Sequence, residues 1–192
     1  MEGGNIRIVS LLLIILMISG CLTTTFQGDY YDPYQFIESH EHFVGEVVKV
    51  VDGDTVWVRC ENGSLYKIRI LGIDTPEINH RNNPYEYYTY DGTPITNTTH
   101  LKLWGYRAKE YVENKLKGKE VIVVFDRMSP KRDRYNRYLA YIFVDGRDLG
   151  EDLIINGYAR VYYSQFELLE RYLEYEKYAK EHRIGMWNYS NT

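Results

Sequence analysis

The chain of 192 residues carries 23 Lys and Arg against 27 Asp and Glu, a net charge of −4, with 44% hydrophobic and 15% aromatic residues. That is enough apolar material for one sizeable core, and it excludes a globally disordered chain, a coiled coil and a collagen-like repeat. An overall basic footprint is absent, so any contact with a polyanion has to come from local clustering of Lys and Arg.

Ile8 to Ile18 is an apolar stretch of 11 residues after Arg7, broken only by Ser10. Spanning a bilayer takes roughly 18 to 20 residues, so the stretch reads as the hydrophobic part of an export signal. Ile18-Ser19-Gly20-Cys21 resembles a prokaryotic lipobox. The resemblance implies removal of residues 1–20 and a lipid on Cys21 that anchors the protein to the outer face of the cell membrane. An uncleaved N-terminal anchor is the alternative, and both place the domain outside the cytoplasmic membrane. One acyl chain attaches only marginally, so stable anchoring needs a second. Residues 21–42, with Thr23-Thr24-Thr25, Gly28 and Pro33, read as a tether. His40 and His42 lie there with no Cys or third His at ligand spacing, so they read as incidental.

The folded domain is expected over 43–187, with 188–192 as a tail. From Phe43 to Val51 β-branched residues alternate as in a half-buried strand. Thr55 to Cys60 is a second strand, with Cys60 a buried thiol, and Asn62-Gly63 turns the chain into a third, Leu65 to Leu71. From Glu77 to Leu101 periodicity disappears among Pro84, Gly92, Pro94 and four tyrosines, which predicts a long surface loop. A helix follows Trp104-Gly105, with Ala108, Tyr111, Val112 and Leu116 at helical spacing and Gly118 as its cap. Val121 to Phe125 and Leu139 to Val144 are the fourth and fifth strands, the latter closed by Asp145-Gly146. Glu151 to Asn156, stopped by Gly157, and Phe166 to His182 read as helices. This pattern fits an α+β fold, a five-stranded OB-fold-type barrel with about three helices.

Charge is uneven along the chain. Residues 21–101 hold five basic and 12 acidic groups, whereas residues 102–137 hold 11 basic and five acidic. The pairing is either a cation site facing an anion site or a solvated helix whose lysines cluster.

Three elements carry chemistry. Asp52-Gly53-Asp54-Thr55 joins two strands and either presents oxygen ligands to a hard cation or forms an ordinary Asp-Gly turn. It is not an EF-hand loop, because Trp57 stands where Gly is needed and Gly63 where a bidentate Glu is needed. Arg69 to Glu77 runs a strand with a charged Arg, on the opposite face from Ile68 and Ile70, into Asp74-Thr75-Pro76-Glu77. Lys131 to Arg137 is a basic turn that is either plain solvated loop or, with Tyr135 interleaved, a place to hold phosphate and stack on a base.

Together with Asp133-Arg134-Tyr135-Asn136-Arg137, Gly157-Tyr158-Ala159 and Gly185-Met186-Trp187, these pieces resemble the staphylococcal nuclease (thermonuclease) family from Phe43 to Trp187. The resemblance implies a calcium-dependent phosphodiesterase that cuts DNA and RNA to 3′-phosphate ends. Asp54 and Asp74 match the carboxylates that bind Ca2+, and the carbonyl of Thr75 a further ligand. Glu77 matches the base for the attacking water, Arg69 and Arg137 the phosphate-binding arginines, and Tyr135 a tyrosine on the nucleotide. Arg134 stands where a Lys is familiar, and Asn136 where Gly is usual, Asn being able to keep a left-handed backbone.

Phosphodiester hydrolysis needs a positioned water and positive charge around the phosphorus oxygens, which a divalent ion and two guanidinium forks supply. The loop from Asn79 to His100 is longer than in the nuclease it resembles. Its Tyr85, Tyr87, Tyr88 and Tyr90 either stack on single-stranded bases or pack against the barrel rim. Asn62, Asn97 and Asn188 fit a glycan acceptor pattern. A monomer is expected, with DNA and RNA as substrates. The rival reading is a non-catalytic OB-fold surface lipoprotein that binds nucleic acid.

Overall fold

The computed structural model describes residues 31–190. In chain order these form α1 (Pro33–Glu38), β1 (His42–Val50), β2 (Thr55–Cys60), β3 (Leu65–Ile70), β4 (Ile73–Asp74), α2 (Thr98–Leu116), β5 (Glu120–Val124), β6 (Tyr138–Val144), β7 (Arg147–Asp148), α3 (Leu149–Ile155), β8 (Arg160–Val161) and α4 (Leu169–Glu181). Two 3-10 turns, Pro84–Glu86 and Gly185–Trp187, complete the set.

β1 pairs antiparallel with β2 and β5, β2 with β3, and β5 with β6. A parallel pairing of β3 with β6, Arg69 opposite Leu139, then closes the five strands into a barrel. That is the expected OB-fold-type architecture. Residues two apart on each strand, such as Val56 and Val58, Ile68 and Ile70, Val121 and Val123, Ala140 and Ile142, share one core. A bulge between Val47 and Lys49 breaks the alternation predicted for β1, so that the consecutive residues Val48 and Lys49 are both exposed. Asp145 and Gly146 both take positive φ, the geometry of a tight turn from β6 to β7.

Other departures have local causes. α2 starts at Thr98, well before the predicted boundary, because the Asn97 side chain accepts the His100 N–H and caps it. Residues 31–42, read as tether, hold α1, whose Asp32 cap and Pro33 are helix-start signals in a segment too short to show periodicity. Ile37 is buried and Phe36 stacks on His40. His40 is not incidental. It is buried, with Nδ1 2.6 Å from the Phe36 carbonyl and Nε2 2.7 Å from Glu167. Cys60, expected to be buried, is half-exposed and free.

α2 lays Leu101, Gly105, Ala108, Val112 and Leu116 inward. Gly105 is where the helix meets the turn after β4: a Cβ there would lie 2.3 Å from the Pro76 carbonyl. Gly105→Ala therefore destabilises the protein by about 1–3 kcal/mol, the usual range for overpacking, outweighing the roughly 1 kcal/mol that Ala gains in helix propensity. Because Pro76 sits between Asp74 and Glu77, the substitution also displaces the segment that carries these two carboxylates. Thermal unfolding checks this, and a variant at wild-type stability would refute the contact.

α4 steadies the other side. Glu176 accepts the Val161 N–H at 2.9 Å, fixing β8, which pairs with β4 so that Arg160 lies opposite Asp74. Gly157 takes φ 66° and packs so tightly on the Ile184 carbonyl that a side chain would not fit, which both ends α3 and seats the Gly185–Trp187 turn.

Candidate active site at the barrel rim

Asp54 is 2% exposed in the turn between β1 and β2. One of its oxygens accepts the Thr55 hydroxyl at 3.0 Å, and the other accepts the N–H of Thr75 at 3.0 Å and its hydroxyl at 3.2 Å. Thr75 thus meets Asp54 through its donors. Arg69, opposite Thr55 on the neighbouring strand, pairs one guanidinium nitrogen with Asp54 and the other with Asp74 at 2.6 Å. The face of β3 that sequence left open is therefore not plain solvent: it carries two ion pairs.

Asp74 is held from its far side as well. Its second oxygen meets Arg160 at 2.8 Å and the Tyr87 hydroxyl at 3.4 Å, and Arg160 also reaches Glu86 at 3.4 Å. Burial pushes the Tyr87 phenol well up, and the Asp74 charge adds to it. Burial alone would lower the Arg160 guanidinium, but Asp74, Tyr87 and Glu86 reverse this and raise it.

The loop after β5 brings Arg137 to the same place. Asp133 accepts the N–H groups of Tyr135 and Arg137, both at 2.9 Å, and the Arg137 Nε–H at 2.7 Å. These bonds overcome the cost of burial and hold the Asp133 carboxyl below its usual range. Asn136 takes φ 61°, so Asn does supply the left-handed turn residue. Arg137 then donates to the Thr55 hydroxyl at 3.4 Å, and Thr55 in turn donates to Asp54. Tyr135 is 65% exposed, with the Arg134 and Arg137 guanidiniums 4.8 and 5.5 Å from its ring centre.

A cleft of about 800 Å³ collects Arg69, Asp74, Glu77, Arg134, Tyr135 and Arg137. Asp54 lies behind it, joined through Arg69. Groups from the acidic stretch and the basic stretch thus face each other across one cavity. Glu77 is exposed at the edge, and its carboxyl is raised by partial burial and then by the charges of Asp52 and Asp74. Asp52 is raised too, chiefly by burial. Asp52, Asp54, Asp74 and Glu77 thus gather around Arg69, with Arg160 offsetting part of the Asp74 charge from the other side. Carboxylates crowded in this way favour a further cation.

Asp54 and Asp74 gripping a single guanidinium face one common cation position, and both offer hard oxygens, so the pair fits calcium. Among the described residues no three His, Cys, Asp or Glu side chains gather closely enough to hold an ion by themselves. Backbone oxygens and water have to complete a shell of roughly six to eight ligands.

The four loop tyrosines divide. Tyr87 is buried under Asp74, Tyr85, Tyr88 and Tyr90 are exposed, and none lines the cleft. Sequence reasoning missed Arg160 and Asn82, and named Tyr87 as a loop tyrosine without its tie to Asp74. For Arg160 a signal exists, a charged residue between the apolar Ala159 and Val161, the same pattern that singled out Arg69. Buried Asn82 accepts the Glu77 N–H at 2.7 Å and donates to the Glu77 carbonyl at 2.9 Å, pinning that backbone.

Residues 67–189 match the model of the staphylococcal nuclease homologue family. The chain belongs to that family. The matched segment includes Arg69, Asp74, Thr75, Glu77, Arg134, Tyr135 and Arg137, while Asp54 precedes it. An uncharacterized protein of Methanocaldococcus jannaschii is 52% identical over 94% of this chain and 93% of its own length. The SPbeta prophage-derived endonuclease YokF of Bacillus subtilis is 33% identical over 73% of this chain, which spans 42% of that relative. The thermonuclease of Staphylococcus hyicus is 28% identical over 74% of this chain and 75% of its own length. These family members named as nucleases make this a nuclease-family chain with the hydrolase fold to match.

Proposed function

We infer that the protein is a calcium-dependent phosphodiesterase that cleaves DNA and RNA internally and leaves 3′-phosphate ends. The observation that carries this reading is Arg69, whose one guanidinium joins Asp54 to Asp74 at a cleft that Glu77 and Arg137 also line. When bound by Asp54 and Asp74, with the Thr75 carbonyl as a further ligand, calcium supplies positive charge for the phosphate oxygens. Arg69, once released from Asp54 and Asp74, and Arg137 would receive the phosphate with their N–H donors and stabilise charge as it builds in the in-line transition state. Glu77 takes the proton of the attacking water. Its raised carboxyl is a better base than an ordinary Glu. Tyr135, with Arg134 beside it, offers a face for the sugar or base.

The test is incubation of the full chain with single-stranded DNA and with RNA, in calcium and in a chelator, followed by end-group analysis. Calcium-dependent fragments with 3′-phosphates are expected, and intact substrate from folded protein in calcium would overturn the reading.

The protein is further proposed to act as an exported monomer anchored to the membrane by lipid on Cys21. What supports this is the sequence Ile18 to Cys21, which lies outside the described residues. Among the described residues no helix is long and apolar enough to cross a membrane. Labelled lipid should enter the wild-type protein in its cell of origin and be lost with Cys21→Ala; equal labelling of both would remove the anchor from Cys21.

A further inference from the structure

Beside the cleft runs a second groove, of about 450 Å³. His80, Arg81 and Asn82 form one wall. Thr98, Lys102 and Tyr106, four residues apart along one face of α2, form the other. Thr98 to Tyr106 spans about 12 Å of helix at about 1.5 Å per residue. No Asp or Glu lines the groove. Arg81 and Lys102 are exposed, and neither has an ion pair or hydrogen bond with a described residue. Some other surface cations are paired, as Lys115 is with Asp152 and Lys131 with Glu41; what sets Arg81 and Lys102 apart is the acid-free groove they share. Tyr106 is 51% exposed at the end of the same face. Free cations followed by an open aromatic ring are what a single nucleic-acid strand requires, the cations for phosphates and the ring for a base.

Asn82 joins the groove to the cleft. It lines the groove while its side chain holds both backbone groups of Glu77, which lines the cleft. One short loop therefore contributes to both cavities.

We propose that this groove is a distal subsite for a single strand of the substrate, holding nucleotides beyond the one in the cleft. The proposal rests on the nuclease reading and deepens it by naming the form of substrate the protein grips best, a single strand of several nucleotides. Because the Asn82 side chain ties the groove wall to the Glu77 backbone, occupancy of the groove also steadies Glu77, so longer strands are cut with a higher kcat as well as bound more tightly.

The experiment is fluorescence anisotropy of labelled single-stranded DNA, about three or about 12 nucleotides long, with the full chain carrying Glu77→Gln in calcium. Adding Arg81→Glu and Lys102→Glu weakens the long strand on the order of tenfold and leaves the short one unchanged. The slope of log affinity against log salt for the long strand falls by about 1.4, two phosphate contacts at about 0.7 each. Arg81→Gln with Lys102→Gln, milder at exposed positions, gives a smaller loss of the same kind. Equal loss for both lengths, or none, overturns the subsite. Cleavage of unlabelled DNA by the wild-type chain is read in parallel. Length-dependent loss without cleavage leaves the groove standing and fells the nuclease reading, whereas cleavage without length dependence does the reverse.

Discussion

Glu77→Gln lowers the rate of phosphodiester cleavage by about 100- to 10,000-fold, the range a positioned base contributes, while oligonucleotide affinity stays at the wild-type value. Gln has nearly the shape of Glu and keeps an oxygen toward the cleft, but it cannot take a proton from water. The substitution does not touch the fold, because Asn82 grips only the backbone of residue 77. Stability should rise slightly, since the side chain no longer faces the charges of Asp52 and Asp74 that push its carboxyl up. The wild-type rate should climb with pH as Glu77 ionises, because the ionised form is the base, and this limb should vanish from the residual activity of the variant. A variant that cut at the wild-type rate would take Glu77 out of the base role.

The second large effect is at Arg69. Its side chain is 16% exposed and that of Asp54 3%, so Arg69→Met strands a buried carboxylate with no counter-charge. Breaking such a pair costs about 3–5 kcal/mol, which for a domain of this size lowers Tm by about 10 °C or more. Cleavage should fall by about 100- to 1,000-fold as well, the cost of losing one preorganised charge-stabilising donor. Arg69→Lys keeps the charge but cannot hold Asp54 and Asp74 with a two-pronged fork, so it should fall between Met and wild type in both respects. Added calcium should raise Tm more in Arg69→Met than in the wild-type protein, because there it supplies the only cation shared by the two carboxylates. Differential scanning calorimetry with and without calcium measures this. An unchanged Tm, or equal calcium effects in both proteins, would show that Arg69 is not the tie between Asp54 and Asp74.

What could be read from sequence, and what could not, follows the range of each signal. Strand alternation and the Asn62-Gly63 and Asp145-Gly146 turns are local, and they locate the barrel strands to within a residue or two. The motif residues Arg69, Asp74, Glu77 and Arg137 were legible because spacing and resemblance coincide there, and the structure collects them in one cleft. Arg160, and the tie of Tyr87 to Asp74, were not legible, because each meets Asp74 only through a contact across the fold: β8 against β4 for one, a burial under the loop for the other. α1 was missed for a different reason. Six residues give too little periodicity to weigh against a polar, Thr-rich neighbourhood. The bulge in β1 shows the opposite limit, since an uninterrupted β-branched pattern hides an extra residue that shifts one end of the strand relative to the other.

The seam between β3 and β6 has a consequence for timing. It joins residues about 70 apart in sequence, Ile68 beside Tyr138 and Arg69 beside Leu139, and is among the slowest kinds of contact to form. Arg137 is delivered to Thr55 by the loop that leads directly into that seam, and Arg160 arrives later still. A nascent polypeptide emerging from the ribosome thus carries Asp54, Asp74 and Glu77 long before Arg137 and Arg160 join them. If the chain hydrolyses RNA as proposed, the message being translated is spared until the β3–β6 seam has closed.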